Sequence, residues 1–268
     1  VFDEPKENLL ENFQQPPITG EIVFDNVSFG YEPNQPVLKN LSFTVKSGQT
    51  VALLGHTGSG KSSLVHLLAR LYDYEEGSIT MDGIELKTID KKWMRKNVAV
   101  VSQEPFLFAK TIRENITLAS GDVSDEELYG ICQEAAIHDV ILSFDQGYET
   151  LVGERGVSVS GGQRQRIAIA RALITHSPIV IFDDSLSAVD TETDVAIRNA
   201  LGRRSNRATT FLISHRVTSL SGADLILVLD HGTIVQRGTH EELMANDGPY
   251  ARIWEIQNTL EAEITKAR

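Results

Sequence analysis

The feature that most constrains this chain is the segment Gly55–Ser62, GHTGSGKS, which fits the pattern G-x-x-x-x-G-K-[ST] without a mismatch. A short apolar run, Thr50–Leu54, precedes it, and apolar residues at helical spacing follow from Lys61 to Leu71. Glycines in such a loop let backbone N–H groups point at phosphate oxygens, and the helix N-terminus adds a partial positive charge. The segment therefore predicts a buried strand, a phosphate-binding loop and a helix in succession.

Different residues of this loop suit different parts of a nucleotide. Lys61 is expected to reach the β- and γ-phosphates, and the Ser62 hydroxyl is expected to bind Mg²⁺. His56 occupies a variable position of the pattern, and we assign it no chemical step. The predicted nucleotide-binding residues of this region are Gly55, His56, Thr57, Gly58, Ser59, Gly60, Lys61, Ser62 and Ser63.

A carboxylate at the end of a second apolar run suits the same ligand. Ile179–Asp183 is predicted to be a buried strand that places Asp183 at the edge of the sheet, where it would hold Mg²⁺ through water. Buried strands often end in Asp, so this assignment depends on the phosphate loop. Together the two motifs predict a nucleotide-binding site with Mg²⁺.

The composition is that of an ordinary globular protein. The chain has 268 residues, of which 41% are hydrophobic and 23% charged. Its formal net charge of −12 argues against nucleic acid as a partner, because duplex-binding proteins usually present a basic surface. No apolar run approaches the ~20 residues that span a bilayer, and no leader peptide is recognised. Because Cys132 is the single cysteine, an internal disulfide is excluded, and Cys132 is predicted to be a small residue in the packing of a helix.

The first part of the chain is predicted to contain antiparallel strands. Ile22–Phe29 alternates apolar and polar residues, with Val23, Val27 and Phe29 expected on one face. Residues 82–83, Asp-Gly, lie between two short apolar runs and predict a tight hairpin.

The middle of the chain is predicted to be helical. Apolar residues recur at helical spacing between Thr111 and Leu173, and Ser124 with Glu127 predicts a capping box. After Pro178, short apolar strands alternate with helical segments, as in parallel α/β units. The predicted fold class is α/β, a P-loop NTPase (RecA-like) core with an N-terminal antiparallel β portion and an inserted α-helical subdomain.

The domain organisation follows from these patterns. Residues 1–20 are polar and proline-containing and are expected to be a linker. The expected units after it are a nucleotide-binding α/β core of residues 21–102 and 175–250, a helical subdomain of residues 103–174, and a C-terminal helix of residues 251–268.

A second glycine-rich helix start, formed by Ser160, Gly161, Gly162 and Gln163, precedes the apolar helix 167–174. It is a second candidate anion site, and a chain with one phosphate loop has little need of another. The site would then serve a nucleotide held by a different subunit. The alternative is a plain helix start in which Ser160 is the N-cap and binds no ligand.

With these motifs, the sequence resembles the ABC ATPase family over nearly all of residues 21–260. Val159–Gln163 is similar to the family's signature motif, with Val in the usual Leu position. The resemblance implies ATP and Mg²⁺ as cofactors and an ATPase in which two such domains pack head to tail around two ATP molecules. Each ATP would lie between the phosphate loop of one domain and the signature of the other.

The resemblance also implies roles for residues outside the glycine-rich segments. Gln103 resembles the Q-loop glutamine, which contacts Mg²⁺ and the attacking water. His215 resembles the switch histidine that touches the γ-phosphate, and Tyr31 stands where an aromatic stacks on adenine. Ser187–Asp190 resembles the D-loop, which implies a cofactor contact for Asp190.

The segment Val152–Gly156 resembles the X-loop of exporter ABC domains, which contacts the transmembrane domain. An exporter subfamily, of the multidrug type, would make residues 1–20 the connector from an N-terminally fused transmembrane domain. The chain would then work at the cytoplasmic face of a membrane, the inner membrane in a bacterium. The alternatives are a non-hydrolysing regulatory ABC module and a soluble ABC ATPase acting on nucleic acid.

The chain departs from the family pattern at Asp184, where the family usually has Glu as the general base. Asp is one methylene shorter, so its carboxylate retreats by ~1.5 Å. A displacement of about 1 Å can reduce a rate on the order of 10²-fold. We therefore expect this site to bind ATP but hydrolyse it slowly, as in the degenerate half of a heterodimeric exporter. A homodimer that tolerates Asp, or an engineered substitution, are the alternatives.

Overall fold

The structure is a computed structural model that describes residues 13–153, 158–186, 193–198 and 208–266, with side chains as far as residue 259. The strands are β1 (Ile22–Phe29), β2 (Leu38–Val45), β3 (Thr50–Leu54), β4 (Glu76–Met81), β5 (Ile84–Glu85), β6 (Val98–Val101), β7 (Ile179–Asp183), β8 (Thr209–Ile213), β9 (Leu225–Asp230) and β10 (Thr233–Gly238). The α-helices are α1 (Lys61–Leu68), α2 (Lys91–Asn97), α3 (Ile112–Ile116), α4 (Asp125–Glu134), α5 (His138–Leu142), α6 (Gly161–Leu173), α7 (193–198), α8 (His240–Met244) and α9 (Pro249–Lys266). Short 3-10 helices cover Leu86–Thr88, Gly147–Glu149 and Val217–Leu220.

The larger sheet has six strands in the order β10-β9-β3-β8-β7-β6. The strands from β9 to β6 are parallel to their neighbours, and β10 pairs antiparallel with β9. Parallel strands end at the same edge of a sheet, which is where ligands bind in open α/β folds. The loops after β3, β6, β7 and β8 therefore meet at one edge.

Alternate side chains of β3 belong to two different hydrophobic clusters. Val51 and Leu53 pack into the cluster shared with α1 and a four-stranded antiparallel sheet, in the order β2-β1-β4-β5. Ala52 and Leu54 pack into the cluster shared with α3–α6 and with Tyr250 of α9. Because both faces of the central sheet are covered by apolar side chains, the sheet is stabilised from both sides. Full burial of one leucine side chain contributes about 1.5–3 kcal/mol. The predicted α/β class is confirmed.

The predicted face of β1 is wrong before its midpoint. Ile22 and Phe24 are buried and Val23 is only half-buried, whereas Val27 is buried as predicted. The register of β1 shifts between Phe24 and Val27, at Asn26, whose φ is 49°. A bulge inserts an extra residue into the strand. The buried positions therefore change from even-numbered residues before the bulge to odd-numbered residues after it.

The helical region between β6 and β7 has the predicted elements with one altered cap. Ser124 accepts a hydrogen bond from the Glu127 N–H at 3.2 Å, but the Glu127 carboxylate pairs with His176 at 2.7 Å. Only half of the predicted capping box therefore forms. Cys132 is buried in α4, as predicted, and burial raises the pKa of its thiol to about 11.

The segment before β1 is attached to the rest of the fold by several contacts. Backbone N–H groups of Thr19 and Gly20 donate to the Asp82 carboxylate, and Trp93 Nε1 donates to the Pro16 carbonyl at 2.7 Å.

The predicted hairpin at residues 82–83 is confirmed by the pairing of β4 with β5. No helix in the described ranges is both long and apolar enough to cross a bilayer.

Candidate functional site

The phosphate loop joins β3 to α1, as predicted, and its lysine lies inside the loop. Lys61 Nζ donates to the carbonyls of Gly55 at 2.8 Å and His56 at 3.0 Å. The side chain is largely buried, and burial lowers the pKa of Lys61, while Asp183 and Asp184 oppose that shift. The ammonium is therefore held against the loop backbone, and the Asp183 and Asp184 carboxylates are close enough to affect its pKa.

Gly60 is required by the geometry at the start of α1. Its φ is 105°, and a Cβ added there would lie 2.6 Å from Leu38 Cδ2. As the N-cap of α1 it offers no side-chain hydrogen bond to the N–H groups of the first turn. Those N–H groups are the usual phosphate ligands at a helix N-terminus, so the loop fits an anion.

Ser62 and Asp183 lie together at the entrance of the loop. Ser62 Oγ is 3.4 Å from Asp183 Oδ1, although the two residues are 121 positions apart. Burial raises the pKa of Asp183, and the hydrogen bond from Ser62 opposes that shift. A hydroxyl and a carboxylate at this distance are oxygen donors of the kind that Mg²⁺ takes alongside substrate phosphates. The pair therefore fits the predicted metal.

Three predicted residues from different loops converge beside this pair. Asp184 follows β7 with a left-handed φ of 47°, and its backbone N–H donates to the Ile213 carbonyl at 3.0 Å. Its Oδ2 atom accepts from Gln103 Nε2 at 3.3 Å and lies 3.9 Å from His215 Nε2. The structure thus brings the candidate base, glutamine and histidine to one point at the carboxyl edge of the sheet.

Two further side chains, which sequence reasoning missed, hold this group in place. Gln257 of α9 donates to the His215 carbonyl at 2.6 Å and accepts from the Val217 N–H at 2.8 Å. Gln165, buried in α6, donates to the Ser102 carbonyl at 3.2 Å, next to Gln103. Both contacts connect residues distant in sequence, and no local pattern marks them.

Tyr31 lies over the first turns of α1. Its hydroxyl is 3.0 Å from Ser63 Oγ and 3.1 Å from His66 Nδ1, and its ring packs edge-on against Phe29 and Tyr72. The residue is 47% exposed. A partly exposed aromatic side chain therefore lies beside the first turns of α1, which is compatible with an adenine contact.

The second predicted anion site, at the start of α6, is capped by its own side chains. Ser160 Oγ accepts from the Gln163 N–H at 3.2 Å, and Gln163 Oε1 accepts from the Ser160 N–H at 2.9 Å. This is a complete capping box for α6, with Ser160 and Gly161 exposed. Within the described ranges, no hydrogen bond joins Ser160 or Gln163 to the phosphate loop. The structure therefore does not bring the phosphate loop and the second predicted anion site together within one chain.

The remaining predicted residues are His56, whose side chain has hydrogen bonds of its own, and residues that lie outside the described ranges. The His56 side chain is hydrogen-bonded to the Thr57 carbonyl and to Asp230 at the end of β9. Asp190, with the rest of the D-loop-like segment, and residues 154–156 of the X-loop-like segment lie outside the described residues.

Comparison with known proteins agrees with this geometry. The sequence matches the ABC transporter family over residues 38–187. It is 43% identical over 238 residues to the beta-(1-->2)glucan export ATP-binding/permease protein NdvA of Bartonella bacilliformis, covering 89% of this chain and 40% of that protein. It is 45% identical over 242 residues to an ATP-dependent lipid A-core flippase of Pasteurella multocida, covering 90% of this chain and 42% of that protein.

A solved structure shows the same similarity in three dimensions. A bacterial Atm1-family ABC exporter with ATP bound superposes with a TM-score of 0.85 at 40% identity, covering 89% of this chain and 42% of that chain. The chain thus spans about two-fifths of the length of these three relatives. The resemblance drawn from the motifs is confirmed, and so is the P-loop NTPase fold: the chain belongs to the ABC transporter family and is an ATP-binding ATPase domain of that family.

Proposed function

We propose that this chain is the motor domain of an ABC exporter, which binds ATP with Mg²⁺, pairs with a second ABC domain and drives efflux through a transmembrane domain. The observation that carries the proposal is the convergence of Lys61, Asp183 and Asp184 with Gln103 and His215 at one sheet edge. Phosphoryl transfer depends mainly on positioning and on charge stabilisation, and this group supplies both.

Each residue has a separate role in the proposed site. Lys61 and the N–H groups of α1 bind the β- and γ-phosphates, and Tyr31 stacks on adenine. Ser62 and Asp183 hold Mg²⁺, which when bound neutralises phosphate charge, and Gln103 orients the attacking water. That water attacks the γ-phosphorus and loses its proton to Asp184, the bond to the β-phosphate oxygen breaks, and His215 contacts the γ-phosphate.

Asp184 makes this site slow in the proposed mechanism. Its short side chain already extends toward Gln103 and His215, at 3.3 Å and 3.9 Å from Oδ2. A glutamate from the same backbone position would reach one methylene further toward the nucleotide. We infer that the chain is the degenerate half of a heterodimeric exporter and that its intact Ser160–Gln163 completes the partner's site.

A groove beside Gln103 supports contact with a transmembrane domain. Its volume is about 770 Å³, and it lies between the segment after β6 and helix α6. Phe106 and Phe108 line it and are 69% and 42% exposed, and Arg171 fixes the Phe106 carbonyl at 2.9 Å. In the proposed transporter, a displacement of Gln103 at the nucleotide moves the residues that line this groove, and these residues pass the motion to the transmembrane domain. The domain boundaries at residues 103–174 and the connector before residue 21 belong to the same proposal.

The test is the rate of single-site turnover at this chain's own nucleotide site in the assembled transporter, with Asp184→Glu in this chain. We expect the rate at this site to rise at least several-fold, on the order of 10²-fold at most, because the carboxylate regains its reach. Asp184→Asn is the matched control and should remain slow with ATP still bound. An unchanged rate for Asp184→Glu would contradict the slow-site proposal, and absence of ATP binding in the parent chain would contradict the motor proposal.

A further inference from the structure

The variable histidine of the phosphate loop belongs to a cluster that the nucleotide site does not use. His56 Nε2 lies 2.8 Å from Asp230 Oδ1, and His231 Nε2 lies 3.8 Å from the same oxygen. One ligand atom from each of the three residues lies within 4.8 Å of the others. In the part of the chain that the structure describes, no other three His, Cys, Asp or Glu side chains meet this closely.

Each ring nitrogen of His56 faces a hydrogen-bond acceptor. Its Nδ1 atom is 2.7 Å from the Thr57 carbonyl, and its Nε2 atom faces the Asp230 carboxylate. Both neighbours are acceptors, and a neutral imidazole has only one N–H. The arrangement is satisfied when the ring carries a second proton, or when a metal ion takes the place of the Nε2 proton.

The second alternative matches the usual setting of a metal-binding histidine. Such a residue donates its other N–H to a backbone carbonyl or a carboxylate, which fixes the ring. The Thr57 carbonyl fulfils this condition for His56. His231 adds a second imidazole from the turn between β9 and β10, and its ring centre is 5.1 Å from that of His56.

The spacing of the donor atoms is close to that of a four-coordinate zinc site. Zn²⁺ binds histidine nitrogen and carboxylate oxygen at about 2.0–2.2 Å, which places tetrahedral ligands about 3.3–3.6 Å apart. The observed 2.8 Å and 3.8 Å lie on either side of that range, and the third pair of donor atoms lies within 4.8 Å. Two imidazoles and one carboxylate favour Zn²⁺, Co²⁺ or Ni²⁺ over Mg²⁺, and the exposure leaves a position for water.

We propose that His56, Asp230 and His231 form a binding site for a divalent transition metal, such as Zn²⁺, next to the phosphate loop. The metal would join the loop to the β9–β10 turn, where the Gly232 N–H already donates to the Ser59 carbonyl at 3.1 Å. Bound metal would therefore restrain the phosphate loop through the β9–β10 turn, with ligands other than Ser62 and Asp183.

The test is titration of the tag-free chain with Zn²⁺ by calorimetry, without nucleotide and with millimolar Mg²⁺ present to occupy carboxylate sites. We expect one site that also gives the visible absorption of tetrahedral Co²⁺, and a higher melting temperature with Zn²⁺. Asp230→Asn and His231→Gln should each weaken Zn²⁺ binding at least about tenfold, since loss of even an outer partner of a metal ligand costs 10–100-fold. His231 is on the exposed β9–β10 turn and Asp230 is the half-buried last residue of β9, and melting curves without metal verify that the variants fold.

His176→Gln is the matched control, because His176 is also exposed and paired with a carboxylate, that of Glu127, at 2.7 Å. It should leave Zn²⁺ binding unchanged. Equal Zn²⁺ affinity in the parent, Asp230→Asn and His231→Gln chains would overturn the proposal, and so would the absence of any Zn²⁺ binding by the parent. Neither result depends on ATP, so the motor function is tested separately.

Discussion

Helices α1 and α6 both begin after glycine-rich segments, but their first backbone N–H groups have different partners. Helix α1 begins after Gly60, which provides no side-chain cap. Helix α6 begins after Ser160, which forms a reciprocal capping box with Gln163. A glycine-rich helix start is therefore not by itself a ligand site, and the difference lies in whether the chain supplies its own acceptor.

The difference suggests how the two segments divide their work. The N–H groups of α1 lie beside Lys61 and Asp183, so this chain has every element of a phosphate site around them. The start of α6 is complete without a ligand and has exposed residues. In our proposal it acquires a ligand only when a second domain presents one.

The largest effect is expected from Lys61→Ala at the α1 site. A hydrogen bond to a charged group contributes about 1.5–3 kcal/mol, so ATP affinity should fall by about 10- to 10²-fold. Calorimetric or fluorescence titration with ATP measures it. The control is Lys46→Ala, which removes an exposed lysine and should leave the affinity unchanged. Equal affinities for the two variants would contradict a self-contained α1 site.

A smaller effect is expected when an intrachain contact far from α1 is broken. Gln257→Ala removes both hydrogen bonds around His215, each worth about 0.5–1.5 kcal/mol. The preference for ATP over ADP should fall about 3- to 10-fold, because His215 contacts only the γ-phosphate in the proposed mechanism.

Gln257→Glu separates the two hydrogen bonds, because it retains the acceptor for Val217 but loses the donor to His215. An intermediate ATP preference is expected for it. The matched control is Glu255→Ala, an exposed residue on the same helix, which should behave like the parent chain. A parallel loss of ATP and ADP affinity would indicate general destabilisation instead.

The smallest effect on this chain alone is expected from Ser160→Ala. Loss of an N-cap destabilises a protein by about 0.5–2 kcal/mol, and ATP binding to the isolated chain should not change. Denaturant unfolding and ATP titration measure the two quantities. Ser124→Ala, which removes the cap of α4, should cost similar stability but leave turnover of the assembled transporter unaffected. Loss of ATP binding by Ser160→Ala in the isolated chain would remove the distinction between the helices.

The sequence predicts best what depends on local pattern. The phosphate loop needs only its own glycines, lysine and flanking apolar runs, and the buried strand before Asp183 is equally local. The face of β1 was mispredicted because the bulge at Asn26 has no apolar signature. The capping box predicted at Ser124 is half formed because His176, distant in sequence, takes the Glu127 carboxylate.

The contacts that sequence analysis missed all join distant segments. Gln257 is one polar residue in a tail of good helix formers, and its partners lie 40 and 42 positions away. The pairing of His56 with Asp230 spans 174 positions. Such contacts follow from which strands are neighbours in the sheet, here β3 beside β9, and no single segment contains that information.

The most direct test is the position of Ser160 in the assembled transporter, trapped with ATP and Mg²⁺ and solved by cryo-electron microscopy. We predict that Ser160 Oγ lies within hydrogen-bond distance, about 2.5–3.0 Å, of a γ-phosphate oxygen whose other ligands come from the partner domain. A trapped assembly in which Ser160 still only caps α6, and every γ-phosphate is far from it, would contradict the account.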